Sequence, residues 1–456
     1  MAKRVQKRVN AQNQKLRKKL FVISCAILAV KLILILSVRN GGWLGADGES
    51  YLKGVDALMK GGVFSKDPIL NYWPAGYPIV LWLLSLVTVS KFIYLVSFFQ
   101  TILYFAASAF FVDRLRTTRL SRLALPAVLI LGLNPTLSLS SLAIGYESLV
   151  ASCMLATAAL IIRYQQIEKS RAKLFQTLLA IGLIQSFSAF MQPRELLLGI
   201  AMLIIWAVYE GSWRSSGVIV LVGICISLIL PMGLVLRNLQ ATNKMTISTN
   251  LGATMNIGAG DKASGGYAGG TNTEVGVPCQ AKTPGATVSD SELVKCVISW
   301  YLHHPKKTAI LAIKKSVYFW SPWYGPLANG TMARNPWLKI DPVRNMDTTR
   351  AGHELVYGWF GKVVSWIWLI GGLFLLFLGF GWLWRQGGLE RQIGLLAGAP
   401  VLLAWLTALG TIGDHRFRLP TMGLSLFLQV AGYFGLRERF SVTPKRATLE
   451  PRGRAR

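Results

Sequence analysis

The stretch KKLFVISCAILAVKLILILSV, residues 18–38, decides the fold of this chain because its pattern recurs along the whole length. Two lysines precede an apolar run that contains one charged residue, Lys31. A helix needs roughly 17 to 25 such residues to cross about 30 Å of hydrocarbon. Since Ser37-Val38-Arg39 offers no cleavage site of small residues, we interpret the run as an uncleaved membrane anchor.

Comparable apolar runs follow throughout the chain, which has 456 residues and is 52% hydrophobic. They predict an all-α, polytopic membrane helical bundle of about ten spans. The predicted spans are 20–38, 92–112, 123–142, 147–162, 174–190, 196–209, 217–236, 363–384, 393–409 and 419–436. The chain is therefore expected to be a multi-pass protein of the cell (inner or plasma) membrane.

Basic residues fill nearly every second hydrophilic stretch between these spans. In a soluble protein the formal charge of +29 would suggest nucleic-acid binding. The basic stretches are 1–19, 113–122, 163–173, 385–392 and 437–456. The positive-inside rule places all of them, and both termini, in the cytoplasm if Tyr77–Val89 dips into or lies along the outer leaflet instead of crossing. We therefore expect no nucleic-acid partner.

Three segments follow from this topology. The tails 1–19 and 437–456 are basic and cytoplasmic, and we expect them to be disordered near anionic lipid head groups. Residues 20–436 form the transmembrane domain. Its first external loop, 39–91, and its long external loop, 237–362, are expected to make a small external subdomain.

The long external loop carries three further expectations. Cys279 and Cys296 are an even pair in a compartment that tolerates oxidation, which predicts a disulfide, with two free thiols as the alternative. Gly258–Gly276 is dense in Gly, Ser, Thr and Asn, which indicates a flexible loop. Lys306–Phe319 has helical spacing with lysines beside aromatic residues, which favours a helix on the membrane surface, and a solvated linker is the alternative.

Ionisable side chains collect at the outer ends of the spans and are scarce inside them. This outer set comprises Asp47, Glu49, Glu147, Arg194, Arg237, Asp414, His415, Arg416 and Arg418. Ion-coupled transporters usually keep acids or bases near the middle of the membrane. The distribution instead favours an enzyme whose site is assembled from several loops at one membrane face, where a lipid substrate presents its head group.

Two parts of this outer set suggest specific chemistry. Asp47 is expected at or just before a helix start, where a carboxylate is favoured by free amides and by the helix dipole, so a plain capping acid is one interpretation. Arg416 and Arg418 precede a helix with an early proline, Pro420, where guanidinium groups and the positive helix end would meet a phosphate together. Arg194 suggests the same more weakly. Arginines paired with an acid or with a lipid phosphate are the alternative.

Short motifs in a fixed order extend this picture across residues 20–436. They are Asp47-x-x-x-Tyr51, Pro74-x-Gly-Tyr-Pro78, Asn134-Pro135, Tyr146-Glu147, Gln192-Pro-Arg194, Arg237-Asn238, Ser248-Thr-Asn-Leu-Gly252, Asn256-x-Gly258, His304-Pro305 and Arg416-x-Arg418-x-Pro420. The set resembles the bacterial integral-membrane glycosyltransferases of the GT-C class, in particular the branch of protein mannosyltransferases and lipid A aminoarabinose transferases. Two features depart from many of these proteins: Gly48 separates Asp47 from Glu49, and the usual Arg-Pro is reversed to Pro193-Arg194.

The resemblance implies transfer of a sugar from a polyprenyl-phosphate donor to an acceptor hydroxyl of a glycan, lipid or protein, with inversion, at the outer membrane face. It implies that Asp47 is the general base. Glu147 would orient the substrate or help to bind a divalent cation, the one candidate cofactor. Arg416 and Arg418, with Arg237 or Arg194, would stabilise the leaving phosphate. The substrate-binding set is Glu49, Tyr51, Tyr77, Arg194, Arg237, Asn238, His415, Arg416 and Arg418.

Two other functions remain open on the sequence. A lipid or polysaccharide transporter would use the external loops to select cargo, and the scarcity of charges in the middle of the spans disfavours it. An oligosaccharide ligase or polymerase would keep the enzyme but change the donor, and the Asp47 motif in the first loop disfavours that.

Overall fold

Eight helices are long and apolar enough to cross a membrane in the computed structural model, which describes residues 2–37, 43–44, 47–266, 279, 289–320 and 359–440. These eight candidate spans are Asn13–Ser37, Phe92–Arg116, Glu147–Gln166, Arg171–Met191, Trp213–Thr242, Trp366–Gln386, Gly388–Gly410 and Arg416–Phe440. The prediction of an all-α, polytopic membrane bundle is confirmed.

The described part of the chain contains eighteen α-helices and two short strands. The helices are α1 (Ala2–Ser37), α2 (Gly48–Gly61), α3 (Ile69–Tyr72), α4 (Gly76–Ser85), α5 (Phe92–Arg116), α6 (Ala124–Leu133), α7 (Pro135–Ser140), α8 (Glu147–Gln166), α9 (Arg171–Met191), α10 (Leu196–Val208), α11 (Trp213–Ser227), α12 (Ile229–Thr242), α13 (Leu251–Ile257), α14 (Asp290–His303), α15 (Pro305–Trp320), α16 (Trp359–Gln386), α17 (Gly388–Gly410) and α18 (Leu419–Phe440). The strands are β1 (Trp43–Leu44) and β2 (Ala143–Ile144).

Two of the predicted spans form helices that are too short to be among the eight. The segment 123–142 divides into α6 and α7 at Asn134, whose side chain accepts a hydrogen bond from the Leu137 amide at 2.9 Å. Pro135 then opens α7 at a position where the missing backbone donor costs nothing. The segment 196–209 forms α10, which has 13 residues.

The first basic tail is not disordered. Helix α1 begins at Ala2 and continues without a break into the anchor, so the expected disorder is wrong for residues 2–19. Lysine, arginine, glutamine and alanine are all good helix formers, and elongating a helix that already exists avoids the cost of nucleation. In the second tail, α18 continues to Phe440 and residues 441–456 lie outside the described part.

The ambiguous segment 77–89 forms α4, a helix of ten residues. At about 1.5 Å per residue such a helix covers roughly half of the hydrocarbon thickness. Its inner face is buried, and Gly76 lies so close to α9 that an added Cβ would be 1.9 Å from the Phe190 carbonyl oxygen. Helix α4 is therefore too short to cross alone and packs against the end of α9.

Helix α8 lies at the centre of the bundle, since 83% of the residues in its apolar 18-residue stretch are buried inside the protein. Membrane helices associate through close packing, because lipid is as apolar as the side chains. The contact between α16 and α18 shows this: a Cβ on Gly432 would lie 2.0 Å from the Leu375 carbonyl oxygen, and one on Gly379 would lie 1.9 Å from that of Leu428. Paired glycines let these two backbones touch.

The two strands determine where the loops meet. β1 pairs with β2 in parallel, with Trp43 opposite Ala143 and Leu44 opposite Ile144. β1 leads into α2 and β2 leads into α8. The pairing therefore brings the start of α2 beside the start of α8.

Helices α13, α14 and α15 form most of the described part of the segment that is predicted to be the long external loop. Cys279 is joined to Cys296 by a disulfide, and the pair packs against Leu293 and Val297. The part of the expected flexible loop at 258–266 is instead packed: a Cβ on Gly258 would lie 1.9 Å from the Thr411 carbonyl oxygen. The remaining residues of that expectation, 267–276, lie outside the described part.

Candidate active site

One guanidinium group joins three residues from distant parts of the chain. Arg416 Nη1 donates to Asp47 Oδ2 at 2.5 Å, its Nε donates to Glu147 Oε1, and its Nη2 donates to the Tyr51 hydroxyl at 3.3 Å. Asp47 is 7% exposed, Glu147 6% and Arg416 5%. We call these four residues the carboxylate–arginine cluster.

The parallel strand pair explains how the two acids meet. Asp47 lies three residues after Leu44 and Glu147 lies three residues after Ile144, and these two strand residues are direct partners. Asp47 does not cap α2 with its side chain, although its carbonyl oxygen accepts from the Tyr51 amide at 3.0 Å. The Asp47 carboxylate therefore does not cap α2, and the interpretation of Asp47 as a plain capping acid is wrong for its side chain.

Arg416 is held in place by its own segment. Residues His415–Arg418 form a short 3-10 helix, and the Asp414 side chain accepts from the Arg416 amide at 2.9 Å. The backbone of His415 belongs to this turn, but its side chain lies outside the described part. Its predicted role in substrate binding therefore stays a prediction.

The cluster joins two acidic side chains to one buried guanidinium group. Burial raises the pKa of Tyr51 well above its ordinary value, and the nearby Arg416 opposes that rise. Tyr51 therefore keeps its hydroxyl proton and can donate it to a ligand while it accepts from Arg416.

A second arginine, Arg194, contacts residues that are next to Glu147 and Arg416 in the chain. Arg194 Nη2 donates to the Tyr146 hydroxyl at 3.1 Å, its Nε donates to Glu195 at 3.0 Å, and its guanidinium lies 4.0 Å from the centre of the Phe417 ring. Tyr146 precedes Glu147, and Phe417 follows Arg416. Arg194 thus clamps the two backbone segments that carry the cluster.

Glu195 is the functional candidate that the sequence reasoning did not include. It is 3% exposed, and burial raises the pKa of its carboxyl, although its partner Arg194 opposes the rise. Glu147 is close enough to raise that pKa further. The only signal in the sequence was its position next to Arg194, and that signal says nothing about proximity to Glu147.

Tyr77 and Gly145 shape the floor of the cluster. The Tyr77 hydroxyl donates to Gln100 Oε1 at 2.9 Å and accepts from the Gly145 amide at 2.8 Å. The Tyr77 ring lies 5.0 Å from that of Tyr51 in an edge-on contact. A Cβ on Gly145 would lie 2.4 Å from Glu147 Oε2, so only glycine leaves room for this carboxylate.

Arg237 and Asn238 do not contact the cluster and instead fasten the first external loop. Arg237 donates to the carbonyl oxygens of Val63 at 2.9 Å and of Ser65, and to the side chain of Asn71 at 2.9 Å. The Asn238 amide donates to carbonyl oxygens of the segment that follows α12. These contacts hold the two side chains against neighbouring backbone, and the expected roles of Arg237 and Asn238 in binding substrate stay predictions.

Arg418 and Glu49 differ in their surroundings. Arg418 is buried, donates to the Trp320 carbonyl oxygen at 3.1 Å and lies 5.6 Å from the centre of the Trp320 ring, so it connects its segment to the end of α15. Glu49 occupies the first turn of α2 and is exposed.

The predicted divalent cation would have to share the cluster with Arg416. Asp47 Oδ2 and Glu147 Oε1 each already accept a hydrogen bond from Arg416. Among the residues that the structure describes, no group of three His, Cys, Asp or Glu side chains could hold a metal ion. We therefore derive no step through a metal.

Comparisons with known proteins place the chain beside two solved membrane enzymes. No protein-family model matches the chain, and no curated protein matches it either. The chain is similar to an oligosaccharyltransferase of Archaeoglobus fulgidus solved with Zn and sulfate, at 11% identity and a TM-score of 0.47, covering 91% of this chain and 49% of that one. The archaeal oligosaccharyltransferase AglB, in complex with an inhibitory peptide and a dolichol-phosphate, aligns at 10% identity with a TM-score of 0.45, covering 91% of this chain and 50% of that one.

ArnT from Cupriavidus metallidurans bound to undecaprenyl phosphate is also similar, at 14% identity and a TM-score of 0.40, covering 91% of this chain and 77% of that one. The chain spans about half the length of the oligosaccharyltransferases, at 49% and 50%. The oligosaccharyltransferases and ArnT are GT-C membrane glycosyltransferases, the class that the sequence motifs resemble.

Proposed function

We propose that this chain is a membrane glycosyltransferase that moves a sugar from a polyprenyl-phosphate donor to an acceptor hydroxyl, with inversion, at the external membrane face. The observation that carries the proposal is the buried carboxylate–arginine cluster, in which Asp47 and Glu147 share Arg416. The ordered motifs that resemble GT-C enzymes support the same chemistry, because the first-loop acid of that pattern is the one found in the cluster.

Asp47 acts as the general base in this proposal. An ion pair with Arg416 is made by the carboxylate form, which is the form that accepts a proton. The acceptor oxygen attacks the anomeric carbon, its proton passes to Asp47, and the bond from that carbon to the phosphate oxygen breaks with its electron pair leaving on the phosphate. A positioned base of this kind contributes about a hundredfold or more.

In this proposal Arg416 links proton transfer to Asp47 with the stabilisation of the leaving phosphate. Before transfer its guanidinium is divided between Asp47 and Glu147, so a donor phosphate must compete with the carboxylates for it. Protonation of Asp47 removes one of those competitors at the moment when negative charge builds up on the leaving phosphate. The guanidinium then interacts more strongly with the transition state than with the bound donor, which is the condition for catalysis.

The test is donor consumption by the purified protein, supplied with a panel of polyprenyl-phosphate sugars. Asp47→Asn should retain its fold and bind donor but lose transfer. Asp56→Asn is the matched control, because it makes the same change at an exposed aspartate on α2 that belongs to neither the cluster nor the predicted substrate-binding set. Normal transfer by Asp47→Asn would refute Asp47 as the base, and a panel in which no donor is consumed would count against the whole proposal.

A further inference from the structure

Lys315 is a fully buried lysine that the proposed transfer does not use. It lies on α15, in the segment that is predicted to be the long external loop, and is 0% exposed, whereas its neighbour Lys314 is exposed. Lysine is almost never fully buried unless its amine has partners. Its partners therefore indicate what it does.

The amine of Lys315 reaches the last turn of α17. Nζ donates to the Leu409 carbonyl oxygen at 2.9 Å and to the Tyr301 hydroxyl at 2.9 Å, and that hydroxyl donates in turn to the Gly410 carbonyl oxygen at 3.2 Å. The last four carbonyl oxygens of a helix lack partners within the helix. In α17, which ends at Gly410, Lys315 and Tyr301 donate to two of these four oxygens, those of Leu409 and Gly410.

The end of α17 leads directly to the arginines. Residues 411–418 connect it to α18, and Arg416 and Arg418 lie on this connection. The connection also touches the backbone of Lys315, because a Cβ on Gly413 would lie 2.3 Å from the Lys315 carbonyl oxygen. On its other side the Gly413 amide donates to the Gly265 carbonyl oxygen at 2.9 Å.

The geometry suits a neutral amine, whose two hydrogens match these two acceptors. Consistent with this, burial lowers the pKa of Lys315 to about 7. Burial raises the pKa of its contact Tyr301 to about 12, so that hydroxyl stays protonated. The elements packed against α15 carry these titratable and charged residues: Asp290, Glu292, Lys295, Tyr301 and His303 on α14, Glu390 and Arg391 on α17, and His415, Arg416 and Arg418 on the 3-10 turn, with Asp261, Lys262, His304 and Asp414 in the adjoining segments. Of these, Tyr301 contacts the Lys315 amine.

We propose that Lys315 is a positioning residue: its buried amino group fixes the end of α17 and thereby the connection from which Arg416 reaches Asp47 and Glu147. Only the consequence for sugar transfer rests on the proposed function. The positioning itself is a statement about the structure and is tested separately.

Hydrogen exchange on the full chain in lipid nanodiscs tests the positioning. Lys315→Met keeps the length of the side chain but removes the amine, and Lys314→Met is the matched control on the exposed face. We expect the Gly413, Arg416 and Phe417 amides to exchange about tenfold faster in Lys315→Met, the loss expected for one or two buried hydrogen bonds. Lys314→Met should leave these amides unchanged.

The pH profile distinguishes positioning by the amine from simple filling of space. Opening the contact exposes Lys315, whose pKa then returns from about 7 toward its ordinary 10.5. The open form binds more protons between these values, so opening becomes less favourable as the pH rises from 7 to 10.5. After correction for the intrinsic exchange rate, protection at Gly413 should therefore increase over this range in the wild type and stay flat in Lys315→Met.

Two results would overturn the proposal: unchanged exchange at residues 413–417 in a folded Lys315→Met protein, or a wild-type profile without this rise. If Lys315→Met does not fold, Tyr301→Phe replaces it, because it removes the hydroxyl between the amine and Gly410. Tyr301→Phe should increase exchange at Gly413, and no increase would count against the proposal.

The transfer assay adds the functional consequence. Lys315→Met should lower kcat for sugar transfer about tenfold or more, since misplacement of a catalytic group by about 1 Å has effects of that order or larger. If the wild type consumes no donor, the proposed function fails while the exchange experiment still decides the role of Lys315. Unchanged kcat alongside faster exchange would overturn the link between Lys315 and transfer.

Discussion

Asp47 and Glu147 lie at equivalent positions after two paired strands and meet on the guanidinium of Arg416. The strands are only two residues long, but Leu44 stands opposite Ile144, and each acid follows its strand by three residues. A short parallel pairing thus brings a carboxylate from the first external loop beside one at the start of the central helix. The cluster depends on this register.

Replacing Arg416 should destabilise the protein strongly. Arg416→Met leaves two buried carboxylates without their cation, and breaking a buried ion pair by removing one partner costs about 3–5 kcal/mol. Arg416→Lys should also fail to restore stability, because a point charge cannot serve three acceptors in fork geometry. Thermal unfolding in one detergent measures the effect, with the exposed Arg214→Met as control. A melting temperature equal to that of the control would contradict the cluster.

Adding a methyl group at Gly145 should displace Glu147. A Cβ there would lie 2.4 Å from Glu147 Oε2, so Gly145→Ala pushes the carboxylate away from Arg416. Overpacking of this kind costs about 1–3 kcal/mol. Gly217→Ala is the control, since no heavy atom lies within 4 Å of its added Cβ.

The double variant Gly145→Ala with Glu147→Asp gives a second check on this interpretation. A shorter acid makes room for the methyl group, so the double variant should be more stable than the sum of the two single changes. Melting temperatures of all four proteins decide this. Strict additivity would mean that the methyl group and the carboxylate do not compete for the same space.

Glu195 should make stability depend on pH. Burial raises the pKa of the Glu195 carboxyl above its ordinary 4.5. Between pH 4.5 and this raised pKa, the folded state therefore binds more protons than the unfolded state. Its stabilising contribution is complete below about pH 4.5 and is lost as the pH rises through the folded pKa. Wild type should therefore lose stability relative to Glu195→Gln as the pH is raised.

Melting temperatures from pH 4 to pH 8 measure the Glu195 effect. Glu168→Gln removes an exposed acid and should show no such pH-dependent difference from the wild type. A constant difference between wild type and Glu195→Gln across the range would mean that the ion pair with Arg194, not burial, dominates the titration of Glu195.

Removing Arg237 should loosen the first external loop. Arg237→Met takes donors from the carbonyl oxygens of Val63 and Ser65 and from Asn71. Leaving the buried Asn71 acceptor without a donor costs about 1–3 kcal/mol, and the partly buried Val63 and Ser65 carbonyl oxygens lose weaker contacts, so the loop should open locally. Limited proteolysis at residues 62–71 should become several-fold faster, while the exposed Lys60→Gln leaves it unchanged. Equal cleavage rates in Arg237→Met and wild type would show that the loop is held by other contacts.

Much of the architecture is readable from local sequence. Apolar runs longer than about 17 residues must be helices in a membrane, because unpaired backbone groups are too costly in hydrocarbon. The run at 123–142 shows the limit of this reasoning, because it forms two helices. Whether an apolar segment stays one helix depends on a local break such as Asn134-Pro135, which a sum over hydropathy does not weigh.

In the candidate site, too, the sequence predicts some features and not others. Asp47, Glu147, Tyr51 and Arg416 were all named from their motifs, because acids and arginines at span ends are unusual enough to notice. Arg237 shows a motif residue whose contacts are with backbone carbonyl oxygens. No local pattern separates an arginine that faces a ligand from one that holds a loop.

The amino-acid sequence by itself determined the all-helical membrane class and the residue types at the outer ends of the spans, because both follow from the transfer of short segments between water and lipid. Only the tertiary structure decided that Asp47 and Glu147 share Arg416, that Glu195 stands behind them, and that Lys315 closes the end of α17. These contacts join residues far apart in the chain, and their energies depend on burial and distance, which no local pattern contains.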